Sequence, residues 1–146
     1  MNSKAKSIIF VLLQFVLGIY LLATADIHKL SLLSLSFISA GLILGLWAIY
    51  TMKKSVLRIT PDVDYRAVLV QDGPYRYIRH PMYSSLIVSG LGLLLTNISL
   101  IRLFVYVFLI DDLVMKLSFE EKLLEKHFKD YAVYKKNTKR IIPFFY

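Results

Sequence analysis

The chain has 146 residues, 57% of them hydrophobic, which suits one domain and is too apolar for an ordinary water-soluble core of this size. It has no cysteine, which excludes a disulfide, a thiolate zinc site, a cysteine nucleophile and a prenylation box within it. The formal charge of +8 admits two polyanionic partners, nucleic acid and anionic lipid, and the placement of the charges has to decide between them.

Four apolar segments follow in chain order. The first runs from Ile8 to Ala25, with only Gln14 and Thr24 as polar interruptions. The second, Leu30 to Met52, carries no charge, and neither does the third, Pro81 to Ile101. The fourth starts near Leu103 and is interrupted by Asp111 and Asp112. A spanning helix needs about 20 apolar residues. Three segments meet that length, and the fourth does so if its carboxylates face protein or water. The first segment also mimics a signal peptide, with Lys4 and Lys6 ahead of it and Ala23-Thr24-Ala25 behind. Its apolar run is longer than a usual signal core, so a retained helix is expected.

Four spans with both termini cytoplasmic put sixteen of the eighteen Lys and Arg residues inside, leaving only Lys29 and Arg102 outside. The positive-inside rule favours that orientation. The charge is then juxtamembrane, placed against anionic lipid, and nucleic acid is not an expected partner. Both long hydrophilic segments, residues 53–80 and about 117–146, fall on the cytoplasmic face. The expectation is an all-α membrane protein of one domain. Residues 1–52 form two N-terminal spans, 53–80 a cytoplasmic loop, and 81–146 a helical hairpin followed by a C-terminal helical segment.

In the central loop, Ala67 to Val70 and Tyr75 to Ile78 flank Gln71-Asp72-Gly73-Pro74, which reads as a tight reversal or small hairpin. His80-Pro81 follows. Proline suits the first helical turn, so a helix is predicted to begin at Pro81, its free N–H groups making an anion site beside Arg79 and His80. Tyr, Arg and Lys at such a boundary also serve as plain interfacial anchors. Downstream, Glu120 and Glu121 open a charged helical segment and project about 100° apart, one toward a pocket and the other toward solvent. Asp112, Lys116 and Glu120 form a ladder at four-residue steps. Leu124, Phe128, Tyr131 and Tyr134 are predicted to share one helical face. The apolar tail, Ile141 to Tyr146, is expected to fold back onto the interface or the loop.

Taken together, "GPYRYIRHPMY", a helical hairpin, and "EEKLLEKHFKDYAVYKKNTKRIIP" resemble the isoprenylcysteine carboxyl methyltransferases and the related small membrane phospholipid methyltransferases. The matching positions are Gly73 to Arg76, Arg79 to Tyr83, Glu120-Glu121 with Leu124, then Phe128, Tyr131 and Tyr134, and Arg140 to Pro143, so the likeness covers residues 67–146. It implies methyl transfer from S-adenosylmethionine, leaving S-adenosylhomocysteine, without a metal. It also implies a cofactor pocket at the cytoplasmic end of the last helices, closed by the C-terminal segment. On that likeness Arg79, His80 and the helix start at Pro81 suit the cofactor carboxylate, and Glu120 or Glu121 suits its ribose hydroxyls or ammonium. Tyr83 lines the pocket. Tyr131, Tyr134 and Arg140 are the candidate acceptor contacts, with Tyr134 and Arg140 as candidate catalytic residues. Gly90 and Gly92 are read as helix-packing devices.

The chain departs from that pattern at Ser85 and Lys129, where the family usually has Gly. It departs again at Asn137-Thr138, where the family has Arg-Val. The acceptor stays open among an isoprenylcysteine carboxylate, a phospholipid amine and a small hydrophobic thiol. An NADPH-dependent membrane reductase of related architecture and a non-catalytic membrane scaffold stand as alternatives. Asp111 and Asp112 are read as partners of Arg102 or Lys116, or as the lining of a polar acceptor tunnel.

Overall fold

The computed structural model describes residues 3–53 and 69–143. Lys54, Arg58, Arg66, the Ala67–Val68 arm of the expected hairpin and the tail residues Phe144 to Tyr146 lie outside them. Among the described residues there are five α-helices and no strand: α1 (Ser3–Ala23), α2 (Leu32–Met52), α3 (Pro81–Thr96), α4 (Leu100–His127) and α5 (Tyr131–Asn137).

Local chemistry sets the helix ends. Ser31 caps α2 through a reciprocal pair of bonds with Ser34, which satisfies N–H groups the first turn would otherwise leave open. Ser99 accepts from the Arg102 N–H and starts α4. Pro81 occupies the first position of α3, as its fixed φ and missing N–H favour. The third apolar segment does not remain one helix. Asn97 and Ser99 break it, so Leu100 and Ile101 belong to α4.

Four helices run alternately up and down. The Asp26 N–H reaches Thr96 Oγ1 (3.3 Å) and Asn97 Nδ2 reaches the Thr24 carbonyl (3.2 Å), which places the α1–α2 and α3–α4 turns at one end. The start of α3 and the later half of α4 meet at the other. Helices α2 and α3 approach backbone to backbone. A Cβ added at Gly41 would lie 2.7 Å from the Ser85 carbonyl oxygen, and one at Gly92 would lie 2.8 Å from the Ser34 carbonyl oxygen and the Ile38 nitrogen. Close approach through small residues is a usual device of helices packed in lipid, where dispersion replaces the hydrophobic effect between them. Leu109, Leu113 and Leu117 of α4 make the buried core with Leu21, Leu94 and Tyr106.

The apolar side chains are not all inward. Leu12, Val16, Ile19 and Leu22 of α1 are exposed, as are Leu42, Ile43 and Leu46 of α2 and Phe104 and Phe108 of α4. Contiguous apolar surface on this scale suits lipid rather than water. Ala5–Ala23 and Leu32–Met52 are long and apolar enough to cross a membrane. Helix α3, at 16 residues, is about 24 Å long, short of a typical hydrocarbon core.

Two other expectations change. Gly73–Arg76 forms a 3-10 turn, not a hairpin, with Gly73 at φ +55° against Thr51 and Trp47 of α2. The predicted stripe from Leu124 to Tyr134 is divided: α4 ends at His127, Phe128 takes its C-cap, and Tyr131 begins α5. Asp130 now caps a new helix, so the three-and-four spacing across this break does not describe a single face.

Arg102 is 2% exposed and sits at the turn end of the bundle. Its guanidinium donates to the Leu21 carbonyl (3.1 Å), to Thr24 Oγ1 and to the Leu93 carbonyl, joining α4 to α1 and α3. It is not paired with Asp111 or Asp112. Arg102→Met leaves these acceptors buried without a donor and should cost about 2–3 kcal/mol. Thermal unfolding in detergent micelles will read this as a lowered midpoint, with Arg102→Lys recovering only part because an ammonium cannot span the same fork.

Candidate functional site

The site is assembled where the start of α3 meets α4 and the C-terminal segment. Residues 77–80 run beside residues 138–140 in a short parallel bridge: Lys139 N–H to the Tyr77 carbonyl (3.1 Å), Arg79 N–H to the Lys139 carbonyl (2.7 Å) and His80 N–H to the Arg140 carbonyl (3.0 Å). Ser84, one turn into α3, donates to the Ile141 carbonyl (2.7 Å). The backbone therefore places Arg79, His80 and Arg140 next to one another before any side-chain contact is counted.

Glu121, on α4, is 2% exposed and lies at the centre. Arg79 Nε is 2.7 Å from Oε1, His80 Nε2 is 3.5 Å from Oε1, and Arg140 Nε and Nη2 are each 3.1 Å from Oε2. Burial opposes ionisation of this carboxyl, but His80 and Arg79 against it outweigh that and hold its pKa at about 2. Arg79 is committed to the fold further. Its Nη1 donates to the Lys135 carbonyl (3.2 Å), to the Thr138 carbonyl and to Thr138 Oγ1 (3.3 Å).

The adjacent Glu120 has a different environment. Its side chain is 19% exposed against 3% for Glu121, accepts from the Tyr83 hydroxyl at 2.6 Å, and lies 3.8 Å from His80 Nδ1. The His80 and Tyr83 rings stack with centroids 5.4 Å apart. The Tyr83 and Ser84 N–H groups close onto the His80 carbonyl, so the first turn of α3 spends them internally.

Tyr134 is a brace: its hydroxyl donates to the Tyr75 carbonyl (2.7 Å), and Thr138 Oγ1 donates back to the Tyr134 carbonyl (2.6 Å). The hydroxyls of Tyr75 and Tyr131 and the Nε2 of His80 are buried and make no hydrogen bond. Burial first, then the nearby charge of Glu120 for Tyr75 and of Glu121 for Tyr131, pushes both phenols well up, so they remain neutral donors. A pocket of about 410 Å³ opens alongside, lined by Gln71, Arg76, Asp130, Val133, Tyr134, Asn137 and Thr138.

Nine candidate residues are thus near one another: Arg79, His80, Pro81, Tyr83, Glu120, Glu121, Tyr131, Tyr134 and Arg140. Sequence reasoning missed Thr138 and Ser84, which hold the C-terminal segment against α3. Neither type carries a signal in isolation. The buried side chain of Thr138 is noticeable only once Arg79 is known to point at it.

A family model described as phospholipid methyltransferase matches residues 29–131, well over half of the chain. Comparison with curated proteins gave no match, and comparison with solved structures gave none.

Because the pKa of Glu121 is depressed in the folded state, the ion knot adds stability above pH 4.5 that is lost as pH falls toward about 2. Glu121→Gln should remove that acid limb and, by leaving two guanidinium groups without a buried counter-charge, cost about 3 kcal/mol at neutral pH. Unfolding midpoints measured from pH 7 down to pH 3 should fall less steeply in the variant than in the unaltered protein.

Proposed function

Because the chain belongs to the phospholipid methyltransferase family, we propose that it transfers a methyl group from S-adenosylmethionine to a lipid-borne or small hydrophobic acceptor at the cytoplasmic face of a membrane. The family makes it a membrane methyltransferase; the donor, the side of the membrane and the acceptor are our reading. The observation that carries it is the pair of unsatisfied hydroxyls at the site, Tyr75 OH and Tyr131 OH, both buried near Glu120 and Glu121, beside a His80 Nε2 that makes no hydrogen bond and has only a 3.5 Å contact with Glu121. Buried polar atoms are nearly always paired, so two unpaired hydroxyls in one place favour a polar ligand there.

Those groups fit the donor molecule. His80 offers a nitrogen for its carboxylate, and Glu120, the more open of the two glutamates, suits ribose hydroxyls or the ammonium. Tyr83 holds Glu120 in place. Arg79 and Glu121 act as positioning residues, since their contacts are with each other and with the C-terminal segment. When bound, S-adenosylmethionine supplies a methyl group already activated by its sulfonium. The protein's task is then to hold the acceptor in line and exclude water. Tyr131, through its unpaired hydroxyl, and Arg140, whose side chain is 29% exposed, are the proposed acceptor contacts. Tyr134 supports them from behind.

The proposed topology is multi-pass with both termini cytoplasmic. The Lys and Arg distribution supports it, and so does the fold, in which Arg102 and Lys29 sit at the end opposite the site.

Isothermal titration of the purified protein with S-adenosylhomocysteine, with NADPH in parallel, tests this reading. Binding of the former and not the latter is expected. Glu120→Gln and His80→Ala should each weaken it about tenfold, close to 1.4 kcal/mol. Wild-type affinity in both variants, or no binding by the unaltered protein, refutes the assignment.

A further inference from the structure

Lys116 takes no part in the site described above, yet it is buried next to it. It sits on α4 one turn before Glu120, is 3% exposed, and among the described residues makes no direct ion pair. An ammonium inside an apolar bundle is costly to bury, and in a membrane protein such a group marks a functional path. The carboxylates of Glu120 and Asp112, one turn to either side, attract it through space, but its own contacts are with neutral groups. Its Nζ donates to Gln14 Oε1 of α1 (3.0 Å) and stands 5.0 Å from the centre of the Tyr83 ring, over its face.

Gln14 is one of the few polar residues of α1, and it spends its carbonyl oxygen on this lysine. Helix α1 precedes the residues that the family model matches, so the bond ties a helix outside that match to the middle of α4. Tyr83 is the other end of the connection. Its hydroxyl donates to Glu120 (2.6 Å), the glutamate proposed to meet the methyl donor. A cation over an aromatic face is attracted by the ring quadrupole, and more strongly where water is absent. It also draws electron density from the phenol, which strengthens the O–H that Tyr83 offers to Glu120.

Resting on the methyltransferase reading, we infer that Lys116, seated by Gln14 of α1, is a positioning residue for the donor site: it fixes Tyr83 and, through Tyr83, the Glu120 carboxylate. Lys116 acts at one remove and is not itself a donor contact. An apolar residue of the same length would pack against the Tyr83 ring without strengthening its hydrogen bond. The bond from Gln14 matters because lysine has a flexible stem. Without that anchor the ammonium is free to turn toward Asp112, whose two oxygens make no hydrogen bond.

The test titrates S-adenosylhomocysteine into the full chain in nanodiscs. Lys116→Met keeps the length and loses the charge; it should weaken binding about fivefold, with Lys116→Arg recovering part of the loss. Tyr83→Phe keeps the ring and removes the bond to Glu120. Adding Lys116→Met to it should change affinity by less than about twofold, because the route to Glu120 is already cut. Wild-type affinity in Lys116→Met, or losses that multiply in full in the double variant, overturns the inference and leaves the methyltransferase reading intact. No binding by the unaltered protein removes both. Should Lys116→Met fail to fold, the half-buried Gln14 decides. Gln14→Leu should weaken binding about threefold, while Gln14→Glu, which keeps an acceptor for Nζ, should stay within about twofold of the unaltered protein. Equal affinity in the two Gln14 variants overturns the inference.

Discussion

The ion knot at Glu121 is the constraint on which the rest of the site depends. One carboxylate, buried on α4, is shared by Arg79 from the start of α3 and Arg140 from the C-terminal segment. Each charge alone would be expensive to bury, and together they are tolerable only because the remaining donors find backbone carbonyls. The knot thus fixes three separate parts of the chain relative to one another. It also divides the labour between two neighbouring glutamates. Glu121 holds the architecture, while Glu120, bonded to Tyr83 and 3.8 Å from His80, is the more exposed of the two and the one proposed to meet a ligand.

The membrane solves a problem this small chain would face in water. Its helices turn leucine, isoleucine and phenylalanine outward, and lipid makes that free of cost. The polar investments are concentrated at the two ends. Arg102 ties the turns together at one, and the knot with its parallel backbone bridge ties the termini of α3 and α4 to residues 138–141 at the other. Between them the contact of α2 with α3 is made largely by absence of side chain, at Gly41 and Gly92.

The site was more legible in the sequence than its internal logic. Proline after histidine marks a helix start, and α3 does begin at Pro81. The paired glutamates differ in exposure, but neither faces solvent: Glu120, expected to be either the pocket or the solvent partner, is bonded to Tyr83. What periodicity could not supply was which glutamate turns inward, because that depends on where the C-terminal segment lands. The four-residue ladder from Asp112 to Glu120 read as ordinary salt bridging, yet Lys116 bonds to Gln14, a residue 102 positions away. The aromatic stripe failed for a local reason: Phe128 leaves the helix at its C-cap, and no count of threes and fours registers that break. The backbone pairing of residues 77–80 with 138–140 had no sequence signal, since a bridge this short needs no alternating pattern.

The glycine contact between α2 and α3 has a bearing on traffic. Where two backbones already touch, no acyl chain can slip through, and Ser34, Ser85 and Ser89 crowd the same seam. That wall of the barrel is shut to lateral passage. The lipid-borne acceptor proposed above therefore has to enter elsewhere than along this seam.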